Sequence, residues 1–349
     1  MSAQAPTAQA AIVNTLSDLW RQMRARFSGN NSLVLITAGL FIGLYMIGAF
    51  VYRDKGFGSL ASFCDMLNSY PGLIVVAAGL TMVIISGGID ISVGGQVAMY
   101  CMMIAYFVEK QSVSPYLMIV IVLVTGTVFG FVQGILISYF KLQPFIVTLA
   151  GMFMARGVTA MISSETIDIS NEQFKAMAFL QFRLPLAGQP FIYLSVVIAL
   201  IVLVAMFVLM TQTKFGRSVY AIGGSEQSSL LLGLNTRRTK LAVYTLNGFL
   251  TATGGFLYCL FSPGGTIVRA QGFEIQAIAA AVIGGAVLTG GAGSIFGSFI
   301  GVLVPATIAK FIAYNGTLVS GWSEIVTGAI MAFFIVLQAI VIRAQRKRE

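Results

Sequence analysis

GLTMVIISGGIDISVGGQVAMYCMMIAYFV, Gly79–Val108, holds one charged residue, Asp90, in 30 positions. Two apolar runs, Met66–Ile89 and Ile91–Val108, meet here at the turn GGIDISVGG, Gly87 to Gly95. A bilayer core needs about 20 apolar residues in helix, so each run reads as a span and the segment between them as a sharp reversal. Paired glycines, Gly87-Gly88 and Gly94-Gly95, let the backbone turn tightly and let helices approach closely. Asp90 is placed either to cap the helix that follows or, as a carboxylate costly near hydrocarbon, to serve a function there.

The rest of the chain has the same character. Of 349 residues, 57% are hydrophobic and 9% charged, against about 45–50% and about 25% in a soluble domain. Such a chain cannot hide its apolar surface in one water-soluble core. Spans are predicted at 33–52, 68–86, 94–108, 115–138, 142–162, 191–210, 241–261, 274–289, 295–313 and 323–342, which makes an all-α polytopic membrane protein of about ten transmembrane helices. An even number puts both termini on one side. With the N-terminus cytoplasmic, 13 basic residues lie on that side and six on the other, so the basic excess places both ends inside. Residues 1–32 form a cytoplasmic tail, with Leu16, Leu19, Trp20, Met23 and Phe27 at helical spacing as an interfacial helix or, equally, a disordered tail. They are too long and polar for a cleavable signal. The membrane domain is 33–342, with a cytoplasmic loop at 211–240 and an outer loop at 163–190, and 343–349 is a basic tail.

Several chemistries drop out. There is no histidine, so histidine-based metal ligation, proton transfer and nucleophile activation are excluded. The three cysteines lie in or beside spans and read as buried thiols, not a disulfide framework. The net charge of +9 is spread without a basic–aromatic stripe, so nucleic acid is not an expected partner. No phosphate-cradling G-x-x-x-x-G-K-[ST] occurs, so nucleotide chemistry belongs to another chain.

Three further features break the apolar pattern. In the loop TQTKFGRSVYAIGGSEQSSLLLGLNTRRTK, Thr211–Lys240, Gly224, Ser225, Glu226, Gln227 and Ser228 precede Leu230 and Leu231, and Gly233 closes the run. A serine start, an early acid and a glycine stop describe one or two helical turns. The leucines either meet a partner protein or lie back on the membrane surface. The second feature is GGAVLTGGAGSIFGSFIG, Gly284–Gly301, whose pairs Gly284-Gly285 and Gly290-Gly291 permit a turn between two helices or serve plain helix packing. Third, the amides Gln133, Asn247 and Gln276 lie inside spans, where they either line the path of a neutral polyhydroxyl solute or tie helices together. The outer loop mixes acids with Phe174, Met177, Phe179, Leu180 and Phe182, which reads as a surface amphipathic helix.

The motifs GLTMVIISGGIDISVG (Gly79–Gly94), FGRSVYAIGGS (Phe215–Ser225) and EIQAIAAAVIGGAVLTGGAGSIFG (Glu274–Gly297) resemble, in this order and spacing, the membrane subunits of bacterial ABC importers for monosaccharides, the ribose-type permease family. LQPFIVTLAGMFMARGV (Leu142–Val158) and NGTLVSGW (Asn315–Trp322) are similar to permeases of galactofuranose importers. The resemblance implies a permease in the bacterial inner membrane, paired with a second permease in a heterodimer. It also implies a cytoplasmic ATPase that binds ATP and Mg, a periplasmic sugar-binding protein, and no cofactor on this chain. On this reading the 223–235 segment is the helix that docks into the ATPase. Ser225 stands where many relatives carry Asn, and Gln276 where an acid is common. The competing expectation is a gradient-driven secondary transporter, for which Arg156, Lys310 and Glu324 are the intramembrane candidates. A membrane enzyme lacks a convergent carboxylate pair or histidine.

Overall fold

The computed structural model describes residues 30–185, 189–316 and 321–346. The expected tail helix around Leu16–Phe27 and the final basic residues 347–349 lie outside the described residues. The helices in chain order are α1 (Asn30–Val51), α2 (Leu60–Ser69), α3 (Pro71–Ile85), α4 (Val93–Ala105), α5 (Pro115–Ser138), α6 (Pro144–Ile162), α7 (Glu172–Ala178), α8 (Leu194–Gln212), α9 (Lys214–Gly224), α10 (Glu226–Leu231), α11 (Thr236–Phe261), α12 (Phe273–Ile283), α13 (Ile295–Asn315) and α14 (Gly321–Arg346). The strands described are β1 (Ile167–Asp168), β2 (Gln181–Arg183), β3 (Phe191–Tyr193) and β4 (Gly264–Gly265). β1 pairs antiparallel with β4, and β2 with β3.

A helix occupies each expected span, but not every one is long enough to cross. Among the described residues five helices, α1, α5, α6, α8 and α13, have the length and apolarity of a membrane span, and the bent pair α2–α3 makes a sixth if counted as one. The predicted 68–86 span is broken at Tyr70, where α2 and α3 meet at 63°. Pro71 at the first position of α3 sets this break, because it has no N–H to continue α2. The predicted 94–108 span is a 13-residue α-helix followed by a π-helical turn, Tyr106–Lys110. The predicted 274–289 span ends at Ile283 after 11 residues. At 1.5 Å per residue, α12 reaches only about 16 Å, a half-span in a core of about 30 Å, whereas α4 and its π-helical turn run unbroken over Val93–Lys110 and cover the predicted 94–108.

Every residue of α3 is buried, as expected of a helix that is apolar on all sides. Around it pack α11, α12, α13 and α8. The contact between α5 and α11 is the most extensive in the protein, and it is a small-residue crossing. Gly126, Gly130 and Gly134 fall at four-residue spacing on α5, and a Cβ on the facing Gly248 would lie 2.8 Å from the Gly130 Cα. On the opposite face of α5, Leu117, Val120, Val124, Val128 and Phe131 are exposed at helical spacing. An apolar stripe of that length turned outward fits lipid and not water. Outside the bundle, the expected outer-loop helix is α7, capped by the Asn171 side chain, with Phe174 buried.

Candidate functional site

The two glycine turns predicted from sequence meet each other, and the 211–240 loop meets both. After α3 the chain reverses at Gly87 (φ +83°); between α12 and α13 it reverses at Gly290 and Gly291 (φ +86° and +76°). The Gly291 N–H donates to the Ile85 carbonyl at 2.8 Å, joining the two turns by backbone alone. A Cβ at Gly290 would lie 2.8 Å from the Gly223 carbonyl oxygen and 2.9 Å from the Gly87 Cα, and one at Gly291 would lie 2.7 Å from the Gly224 Cα. A Cβ at Gly223 would overlap the Ile85 carbonyl oxygen. The C-terminal end of α9 is therefore wedged between both turns, and the Tyr220 hydroxyl adds a 2.9 Å bond to the Gly293 carbonyl. The remaining predicted turn glycines also pack tightly, Gly94 toward the other end of α12. Gly284 packs on the Gly297 backbone, Gly285 on Leu33, Gly88 against the Tyr244 hydroxyl and Gly94 against the Glu274 carboxylate.

One residue beyond that wedge, α10 begins where the loop reading placed it. Ser225 Oγ accepts the Ser228 N–H at 3.2 Å, and the Gly233 N–H closes the last turn on the Leu230 carbonyl at 3.0 Å. Glu226 pairs with Lys240 at 2.6 Å, an exposed pair worth about 0–1 kcal/mol. Leu230, Leu231 and Leu232 are 54, 90 and 79% exposed, so they do not pack against this chain. Gln227 and Leu230 border a groove of 480 Å³ formed with Lys141, Gln143 and Arg237.

Asp90 is buried at 1% exposure. It is not the N-cap of α4; that position is Ser92. Asp90 Oδ1 instead accepts the Ser92 N–H at 2.8 Å and its hydroxyl at 2.5 Å, a local turn preceding the helix, while Oδ2 accepts Asn247 Nδ2 at 2.8 Å. From Ser92 the network continues: Gln96 Nε2 donates to Ser92 Oγ at 2.7 Å, Tyr100 Oη to Gln96 Oε1 at 2.8 Å, and Gln133 Nε2 to Ser92 Oγ at 3.0 Å. Gln133 and Asn247 thus take the second of their two sequence readings, as ties from α5 and α11 to the first glycine turn. Gln276 does not join them. It lines a cavity at the far ends of α3 and α12.

Sequence reasoning missed Gly223 and the series Ser92, Gln96, Tyr100. Both had a signal: Gly223-Gly224 is a third glycine pair, and the polar series recurs every four residues on one helix face. The energetic role of the network is testable. Asn247→Leu leaves Asp90 Oδ2 buried without its donor, a loss of about 1–3 kcal/mol, and thermal unfolding in detergent should fall accordingly. Tyr100→Phe removes one peripheral donor and should cost about 1 kcal/mol; equal shifts for the two variants would contradict this placement.

Comparison with known proteins agrees with this architecture. The chain is 36% identical over 310 residues to the inner membrane ABC transporter permease protein YjfF of Escherichia coli, covering 88% of this chain and 92% of that protein. It is 32% identical to the fructose import permease protein FruG of Bifidobacterium longum, over 89% of this chain and 90% of the relative. It is also 32% identical to the ribose import permease protein RbsC of Bacillus subtilis, over 90% and 95%. No solved structure matches it. Residues 62–335, from the bent start of the buried core into α14, match one family, and the chain belongs to that family, described as branched-chain amino acid transport system / permease component.

Proposed function

We propose that this chain is the transmembrane permease subunit of an ATP-binding cassette importer that carries a monosaccharide, such as galactofuranose, from periplasm to cytoplasm. The observation that carries the reading is mechanical: an exposed leucine helix, α10, is joined by one residue to the glycine wedge that touches both turns. A push on α10 reaches α3 and α12 without passing through soft side chains. ATP and Mg bind to a separate cytoplasmic ATPase, whose closure moves α10. The side carrying α10 and both termini is cytoplasmic, as the basic residues favour.

Relatives named as fructose and ribose import permeases support a sugar as cargo. The sugar arrives on a periplasmic binding protein, and a second, different permease completes the path. No bond in the solute changes. Gradient-driven transport has less support, because of its three candidates the two cations are committed; the Glu324 side chain lies outside the described residues. Arg156 donates to the carbonyls of Ile267, Arg269 and Ala270, and Lys310 to the Ser62 carbonyl and, at 3.2 Å, to Asp65.

Reconstitution into vesicles tests the reading. The chain together with its ATPase, second permease and binding protein should accumulate sugar only when ATP is supplied. Accumulation driven by a proton or sodium gradient without the ATPase would overturn it.

A further inference from the structure

Each of the short buried helices α3 and α12 ends at the glycine junction and begins at a cavity of 780 Å³ on the opposite side of the bundle. The cavity opens at the break between α2 and α3. Its walls are the first turns of α3 and α12, the end of α11 and the connection after β4. A second cavity of 390 Å³, toward α14, shares Tyr70, Leu73, Gln271 and Gln276 with the first. Gln276 therefore stands at the boundary between the two.

The amides of this protein divide into two kinds. Gln133 and Asn247 are buried and spend their donors on Ser92 and Asp90. The Gln276 side chain is half-buried, yet among the described residues it makes no hydrogen bond, and neither does that of Gln271. An amide beside a cavity inside a membrane helix bundle is costly unless water or a solute completes it. Next to it are aromatic surfaces: Tyr70, and the edge-to-face pair Tyr258 and Phe273 with centroids 5.4 Å apart. Among the described residues no carboxylate lines either cavity. A cation, Arg269, also lines the first cavity; it donates to Ser262 Oγ at 2.5 Å, and its buried Nε has no hydrogen-bond partner among the described residues.

Rings beside uncommitted amides and one guanidinium donor suit a compact molecule with apolar C–H faces and several hydroxyls. Resting on the importer reading above, we propose that this cavity is a recognition site within the permease for a small neutral polyhydroxyl solute, with Gln276 bonding its hydroxyls and Tyr70 and Tyr258 covering its faces. Arg156 is a positioning residue for the site. From α6 it donates to the carbonyls of Ile267, Arg269 and Ala270 and so holds the connection that forms one wall. The pairing of β1 with β4 anchors the start of the same connection.

The test uses the complete importer in vesicles and a panel of labelled ribose, fructose and galactose. For the sugar transported best, Gln276→Leu should raise the KM of uptake about tenfold, the worth of one lost hydrogen bond at a polar site, with a smaller change in maximal rate. Gln276→Asn should recover part of the loss. Separately, Gln276→Cys should react with a membrane-impermeant maleimide, and saturating sugar should slow that reaction; Cys64, Cys101 and Cys259 are buried and do not compete. A working wild type whose KM is unchanged by both Gln276→Leu and Tyr70→Ala overturns the site alone. So does a Gln276→Cys that is shielded with or without sugar, because the second permease then fills the cavity. A wild-type complex with no ATP-dependent uptake overturns the importer reading, and the site falls with it.

Discussion

Gly223→Ala should abolish sugar uptake, while Gly224→Ala, one residue along, should leave it close to wild type. The contrast follows from what each added methyl meets. At Gly223 a Cβ overlaps the Ile85 carbonyl oxygen and lies 2.5 Å from the Gly291 nitrogen, the two atoms whose 2.8 Å hydrogen bond joins the turns. Both obstacles are backbone, so no side chain can swing aside, and interiors packed to crystal density do not absorb the volume. Overpacking of this kind costs about 1–3 kcal/mol, and here it also separates α9 from the turns it would drive. At Gly224 a Cβ meets nothing within 4 Å. Uptake and thermal unfolding of the two variants, side by side, decide the matter. Equal behaviour would mean that the wedge is not where the three segments are coupled.

The second large effect is expected at Leu231→Asp. Its side chain is 90% exposed, so within the isolated subunit the change should lie within about 0.5 kcal/mol of neutral, and membrane insertion should be normal. Against an ATPase the result differs. Burying a leucine contributes about 1.5–3 kcal/mol, which is roughly tenfold to 150-fold in affinity, and a carboxylate in its place is desolvated without a partner. Co-purification of the ATPase should drop by at least about tenfold, with uptake lost in parallel. Gly233→Asp should act at the same interface through the helix stop. Retained co-purification and uptake in Leu231→Asp would remove α10 from the drive mechanism.

Much of the candidate site was legible because its local chemistry is local in sequence. Ser225 to Gly233 spells a capped helix, and the cap bonds run between residues three apart. The glycine pairs at 87–88 and 290–291 mark backbone conformations that other residues rarely adopt, and both are turns. Asp90 was visible as an outlier in an apolar run, but its partner Asn247 is 157 residues away. Nothing in the spacing of polar residues distinguishes that amide from Gln276, which faces a cavity. Span length was misread for a related reason. Apolar text continues from α12 past Ile283, since a residue buried in protein and one facing lipid are equally apolar. Hydropathy therefore cannot see where a half-helix stops.

The amino-acid sequence alone determined that this chain is a bundle of apolar helices in a bilayer, with glycine reversals and one short capped loop helix, because composition and short-range pattern govern solvation and local backbone shape. The tertiary structure decided that the two reversals touch, that Gly223 is wedged between them, and which buried amides donate to the Asp90–Ser92 turn. Those facts depend on contacts between segments far apart in the chain. Close packing, not pattern, selects them.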